Sequence, residues 1–471
     1  MADTTMTSKG VSTTIGWRSR LGWRTRLAAL AILLLLVAAI GANLYLTNLY
    51  GPQGAARQYL AALGSGDANA LWALINHPSA PTGVQDSLLD RAALNAALEV
   101  DHSPITNVTV DPATIAGSVA TVSVSYRRSG AISSQTLTLS QGADRHLGIY
   151  PTWRVDLVPA LLSISLPPGG GGLTVDGRNV EVGSGSPQTI AVFPLHHTVN
   201  FAGNGMVEAA SQDVASAAAL SSGKMTVAFP TKLTAAGLAK AQQGIKDALA
   251  ACAAATEAAP NGCPQSAVSI TASHYSWKLV GDPTADLTLT PSPDGTLKGT
   301  GHYVMILTYQ PVVRGGTEHQ AFGGDYSALL VITGTDIKPT SMAAGSGIAA
   351  LPRPAGATDQ AAKDLVGPAI AKCGSAAVDL PDDCPQSDFD AFPPINHPQW
   401  SLSGDPLSAA VIAWDGAQGI LTVSGPFQMF LDYGDSLGEN HHDPSTTKSF
   451  QAQLVWDGSA LNLVTILGAL S

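Results

Sequence analysis

The longest unbroken apolar stretch lies near the amino terminus. Leu27 to Leu46 contains no charge, and Asn43 is its one strongly polar residue. As a helix rising about 1.5 Å per residue it spans roughly 30 Å, the hydrocarbon thickness of a bilayer. Beyond it the hydrophobic period changes twice. Gln53 to Leu63 places Ala56, Tyr59, Leu60 and Leu63 on one helical face, and Gly64-Ser65-Gly66 breaks the pattern. Asp67 is placed to cap a second helix carrying Leu71, Trp72, Leu74 and Ile75, and Ser87 to Leu98 reads as a third. Strict alternation follows at Ile105 to Val110, Val119 to Tyr126, Ser134 to Leu139 and Trp153 to Leu157, which predicts four strands. Short helices before a curved antiparallel sheet predict a cone-like α+β domain over residues 51–159. Residues 160–208 predict a small β module, with Asp176-Gly177 at the turn of a hairpin.

From Met225 onward the pattern is written twice. Each copy has a helix (Ala236 to Ala251; Asp359 to Lys372), a Cys-x10-Cys-Pro-Gln-Ser segment, a histidine, and then Trp, Gly-Asp-Pro and strand patterns. Tyr303 to Tyr309 matches Phe427 to Tyr433, and Tyr326 to Val331 matches Phe450 to Val455. The expectation is a duplicated α+β module of about five strands, at 225–350 and 357–471, joined by the proline-rich linker Pro352 to Gly356.

Charge then orients the chain. Arg24 and Arg26 precede the apolar run, with Trp17 and Trp23 nearby and Tyr45 and Tyr50 at the other end. The positive-inside bias predicts a cytoplasmic tail over 1–26, a single-pass transmembrane helix over 27–46, and an extracytoplasmic body at the cell membrane. A cleaved signal peptide competes, because Ala39-Ile40-Gly41 loosely fits a cleavage site; the continuation of the run to Leu46 favours an uncleaved anchor. No cysteine lies near the run, which excludes a lipoprotein anchor. The net charge of −11 hides five basic residues in the first 26, so the body is more acidic than the total. That argues against nucleic acid and against a broad anionic surface as partner.

The only cysteines are Cys252, Cys263, Cys373 and Cys384. In an exported chain, one disulfide per copy is the favoured reading, since closing a loop of about twelve residues is worth roughly 3 kcal/mol. Zinc is the rival, because His274 and His397 occupy matching places, but no fourth ligand repeats. No metal or cofactor is expected. His441-His442-Asp443 with Glu439 is the densest ligand cluster, and Glu318-His319 lies in the equivalent loop of the first copy. Adjacent residues on an extended chain point to opposite faces, so a solvated hairpin is preferred there, as at His196-His197. Ser266 and Ser387 lack a nucleophile elbow and read as turns. Gly169 to Gly172 lacks the strand-to-helix context of a phosphate loop. Asp282-Pro283 and Asp405-Pro406 read as turn carboxylates.

The opening Ala56 to Ala68 and the closing Trp153-Arg154-Val155 resemble nuclear-transport-factor-like domains of bacterial envelope proteins. The hairpin around Asp176-Gly177 is similar to small β modules beside such domains in ectodomains of the teicoplanin-resistance-associated type. The helix followed by Cys-x10-Cys-Pro resembles single-pass, membrane-anchored actinobacterial envelope proteins, a group from which no activity carries over. The cone resemblance implies a possible pocket with Tyr59, Trp72, Asp101 and His102 as lining residues, though core packing explains Tyr59 and Trp72 more simply. Fold alone warrants no activity. The expected function is therefore non-catalytic: an ectodomain that binds an envelope protein or cell-wall partner as scaffold or sensor. The alternative is an envelope hydrolase or isomerase using the cone pocket.

Overall fold

The computed structural model describes residues 23–101, 103–128, 130–181, 187–215, 223–268, 270–292, 295–312, 316–387 and 395–469. It is a mixed α+β chain with several sheets after one long apolar helix, Trp23–Tyr50, of which Leu27–Tyr50 is long and apolar enough to cross a membrane. The expected anchor stops at Leu46; the helix continues one turn further. The described residues divide into two compact units, one drawn from 23–162, 189–197 and 213–225, the other from 163–188, 198–212 and 226–469.

In the first unit, helix Pro52–Ser65 starts with proline in its first turn and ends on left-handed Gly66, which closes a C-cap back onto Ala62 and Leu63. Asp67 caps Ala68–Leu74 through the Asn69 and Ala70 N–H groups, as its position predicts. That helix is shorter than the hydrophobic period suggests, because Ile75–Asn76 leaves it to pair in parallel with the strand Tyr150–Asp156. The third helix begins at Arg91 rather than Ser87, since Asp90 supplies the cap to the Ala93 N–H. The sheet runs in the order 75–76, 150–156, 131–146, 119–128, 105–110, with 114–116 paired to 119–128. Ala120, Val122, Val124 and Tyr126 alternate inward on the 119–128 strand, facing the buried stripe Ala56, Tyr59, Leu60 and Leu63.

The second unit holds both copies. Their helices, Ala235–Ala253 and Asp359–Cys373, are capped alike by Thr234 and Thr358. Their buried stripes also match in spacing: Ala241, Ile245, Leu249, Cys252 against Ala362, Val366, Ile370, Cys373. The first copy is one sheet in the order 272–280, 296–311, 318–332, 337–344, with 288–291 on the 296–311 strand. Its two central strands pair without interruption from Thr296↔Val331 to Tyr309↔Glu318.

The second copy departs from the expected five strands. Its strands form two sheets, 396–403/428–434/440–444 and 411–415/420–426/449–456/461–469. The break has a local cause. Pairing runs to Pro426↔Ser449 and resumes at Phe430↔Pro444, so residues 427–429 oppose the longer segment 445–448. The extra residue is drawn away by Ser387, whose carbonyl accepts from the Thr446 N–H, the Thr446 hydroxyl and the Ser445 hydroxyl. The Ser387 hydroxyl adds a 2.7 Å bond to Thr447. Pro426 stands at the break and cannot donate to a ladder.

The copies share an apolar seam of Ala321, Ile420 and Val455, lined by Val280, Val304, Ile306 and Val464. Gly323 permits the approach, since a Cβ there would fall 1.7 Å from the Gln418 carbonyl oxygen.

Candidate functional site

Among the described residues, the cone does not gather Tyr59, Trp72 and Asp101 around one ligand-sized cavity. Tyr59 is buried and lines a void of only about 10 Å³ with Leu63, Leu94, Phe193 and other apolar groups. Burial, and then Tyr126, push its hydroxyl pKa far up, against a small opposing effect of Arg128. Trp72 lies outside that void and stacks on His77 with centroids 4.6 Å apart. Asp101 is buried in an ion pair with Arg128 and accepts the His196 N–H at 3.0 Å. Burial alone would raise its carboxyl, but the His196 N–H, the Arg128 charge and the Ser103 N–H outweigh it and hold the pKa below the usual range. His102 lies outside the described residues. The three described candidates serve packing and one buried ion pair.

Both cysteine pairs are disulfides, Cys252–Cys263 and Cys373–Cys384, each with a sequence separation of 11. Each enclosed loop is tied down twice more in the same way. Gln265 and Gln386 donate from Nε2 to the Cys252 and Cys373 carbonyls, both at 2.8 Å. The Trp277 indole donates to the Glu257 carbonyl, and that of Trp400 to Val378 and Asp379. His274 and His397 match because each adopts positive φ, 55° and 51°, in an equivalent bulge. They are backbone devices beside a sulfur bridge, which removes the zinc reading. Sequence reasoning missed the glutamines, although Cys-Pro-Gln stands in both copies and was there to be read.

Those rigid loops overhang a groove, and the groove occurs twice. In the first copy a cavity of about 670 Å³ is bounded by Ala248, Ala251, Cys252 and Ala255 on the helix side and Pro339 to Met342 on the outer strand. In the second, about 620 Å³ is bounded by Ala369, Lys372, Cys373 and Ala376 and by Leu463 to Ile466. The positions correspond residue for residue. One wall is in each case the end strand of its sheet, 337–344 or 461–469.

The rims differ. Asp382 and Asp383 of the second loop hold the hairpin of the first copy. Asp382 accepts the Thr317 N–H at 3.1 Å, and Asp383 takes the His319 N–H at 3.0 Å and its Nδ1 at 2.7 Å. The corresponding first-copy residues are Asn261 and Gly262.

The first copy buries an Asp-His-Asp cluster whose residues have no charged counterparts at the equivalent described positions of the second. His302, its side chain 4% exposed, is hydrogen-bonded through Nδ1 to Asp286, and its Nε2 lies 3.1 Å from Asp325 Oδ1. The second contact is close but poorly aligned, leaving Nε2 without a well-formed hydrogen bond. Asp325 also takes the Ile348 N–H at 3.3 Å, which fixes the start of the stretch leading to the second copy. Tyr303 and Tyr326 donate to the Pro264 and Pro283 carbonyls. Burial, with Asp325 nearby, pushes the Tyr303 hydroxyl up to about 12. The equivalent positions in the second copy are Ala409, Pro426, Phe427, Ser449 and Phe450.

The histidine pair 441–442 diverges, as an extended chain requires. His441 stacks on Tyr433 and reaches Asp435 at 3.2 Å; His442 stacks on Phe430 and reaches Asp432 at 2.6 Å. Ligand atoms of Asp435, Glu439 and His441 lie within 4.8 Å of one another. Asp435 is already committed to the turn, accepting the Leu437 and Glu439 N–H groups.

No family model matches the chain, and no curated protein matches it. Among solved structures it is similar to an "Ntf2 like protein involved in plasmid conjugation", at 10% identity over 42% of this chain and 77% of that one, with a TM-score of 0.11. At that score the likeness carries no argument about fold or function.

Proposed function

We propose that the chain is a non-catalytic, membrane-tethered binding protein of the cell envelope, a scaffold or sensor that engages a protein or wall partner through its duplicated grooves. The observation that carries this reading is the same groove built at the same place in two copies, each rimmed by a loop held by a disulfide, a glutamine and a tryptophan. A rim fixed in advance lowers the entropy lost on binding. The helix Leu27–Tyr50 supplies the tether, with its amino end in the cytoplasm, and the disulfides fit an oxidising compartment for the body.

The test is photo-crosslinking in intact cells from Ala255 and Ala376, equivalent rim positions in the two grooves. Both sites should give the same discrete adduct. The reading fails if neither site yields an adduct beyond that of a probe at exposed Val158, or if purified full chain turns over a wall substrate.

A further inference from the structure

In the first unit, strands Ala131–His146 and Tyr150–Asp156 join through Leu147, Gly148 and Ile149, the first two with φ of 51° and 71°. Tight hairpins with two positive φ values favour Asn-Gly or Asp-Gly. Here the turn carries Leu147, 68% exposed, and is followed by Ile149, 70% exposed. A bulky aliphatic residue at positive φ is unfavourable for the backbone, and two such side chains in water gain nothing in return.

The position of the tip supplies a reason. Tyr150 donates its hydroxyl to Asn43 Oδ1 at 2.7 Å, and the His146 ring stacks on Tyr50 at 4.7 Å. The last cross-strand pair of the hairpin therefore packs on the outer end of the helix, and the Tyr150 side chain reaches from there down to Asn43. Asn43 is three residues inside Leu46, about 4–5 Å beneath the edge of the apolar run. A hairpin stacked on Tyr50, with a hydroxyl bonded at that depth, holds its tip near the boundary between acyl chains and headgroups. Its flank is suited to the same layer: Arg145, which holds the turn through the Ile149 carbonyl at 3.2 Å, is a cation at headgroup level, and Tyr50 and Tyr150 are interfacial aromatics.

We propose that the Leu147–Ile149 tip is a second membrane contact, inserted in the outer leaflet beside the helix. This rests on the reading of that helix as a membrane anchor. With two points of attachment, the first unit cannot swivel freely about its tether.

The full chain holds no free cysteine, so single introduced thiols can be labelled without reduction. An environment-sensitive dye is placed at Ile149→Cys, at Leu35→Cys in the helix, and at Ile132→Cys, 72% exposed at the other end of the same strand. The labelled chains are reconstituted in vesicles of phosphatidylcholine and phosphatidylglycerol with acyl chains brominated near the glycerol. The dye at 149 should be blue-shifted and quenched several-fold more than the dye at 132. Equal responses at 149 and 132, with the dye at 35 in lipid, overturn the tip while sparing the anchor. A dye at 35 left in water overturns both. Shielding at 149 from an aqueous quencher without quenching by lipid bromine would indicate a protein cover and also overturns the proposal.

Discussion

The two copies of the module are each other's control, because one chain folds the same plan twice with different residues. What both retain marks the plan: the helix stripe, the disulfide, the glutamine clasp, the tryptophan strut, the positive-φ histidine and the groove. What only one retains is not required by the plan. The Asp286–His302–Asp325 cluster falls in that second class, since the other copy closes the same region with Ala409, Pro426 and Ser449. The docking of the hairpins teaches something further. His319 of the first copy's hairpin is held by Asp383 of the second copy, whereas His442, in the same register position of the second copy's hairpin, pairs within its own strand pair with Asp432. In the second copy the partner is thus a carboxylate directly opposite on the neighbouring strand, whereas in the first it comes from the other copy.

The largest effect that tests this comparison comes from the disulfides. Cys373→Ser with Cys384→Ser should cost about 3 kcal/mol, and so should Cys252→Ser with Cys263→Ser. The reach should differ. Loss of the second bridge loosens Asp382 and Asp383, so amide exchange should quicken at residues 317–319 of the first copy as well. Loss of the first should leave the second copy protected. Exchange that changes only within the mutated copy in both cases would remove the hold of Asp382 and Asp383 on the first copy's hairpin from the account.

The buried cluster comes next. His302→Leu leaves Asp286 and Asp325 without the group between them and should destabilise by about 2 kcal/mol, less than a fully buried pair because both carboxylates keep some solvent. Adopting the apolar solution throughout, with Asp286→Ala, His302→Leu and Asp325→Ser, should recover most of that loss. Chemical denaturation of the single and triple variants decides it: a triple variant no better than the single one would mean that the first copy requires its polar cluster after all.

A smaller effect tests the His319–Asp383 contact directly. His319→Ala should cost about 0.5–1 kcal/mol, since both partners remain roughly a third exposed. Combined with Asp383→Ala, the two losses should not add. Full additivity in urea would show that the contact is close but not coupled.

These tests also indicate how much the sequence could reveal. The duplication and its bridges were legible because spacing is a covalent property of the chain, repeated residue for residue. The cone's helices were legible from their period and from Asp67, but Ile75 was misassigned because an apolar residue after a helix fits a strand equally well. The broken strands of the second copy were not legible. They depend on Ser387 reaching across 58 residues to Ser445, and no local pattern carries that. The polar cluster was missed for the same reason, as Asp286, His302 and Asp325 meet only when three segments pair. The duplication itself carries the signal, because Asp286, His302 and Asp325 stand where the second copy has Ala409, Pro426 and Ser449.

The smallest effect concerns the Gly-Asp-Pro turn that both copies share. In the first, Asp282 accepts the Thr284 N–H and hydroxyl and meets Lys246 at 2.9 Å. Partial burial would raise its carboxyl, but the Thr284 hydroxyl, Lys246 and the Thr284 N–H outweigh it and hold the pKa below the ordinary aspartate value. In the second, Asp405 accepts the Leu407 N–H at 2.9 Å, while Leu407 has no hydroxyl and Gly367 stands where Lys246 would be. A depressed folded-state value means that the bonded carboxylate adds stability above the ordinary aspartate range and loses it as pH falls through the lowered value. Because the pair is half exposed, Asp282→Asn should cost only about 0.5 kcal/mol near pH 7 and less in high salt. As pH falls below the ordinary aspartate range the wild type sheds that increment and the variant has none to shed, so their urea midpoints should converge. A gap that stays constant from neutral to acid pH would mean that the turn's geometry, which both copies have, matters here and the charge, which only the first pairs, does not.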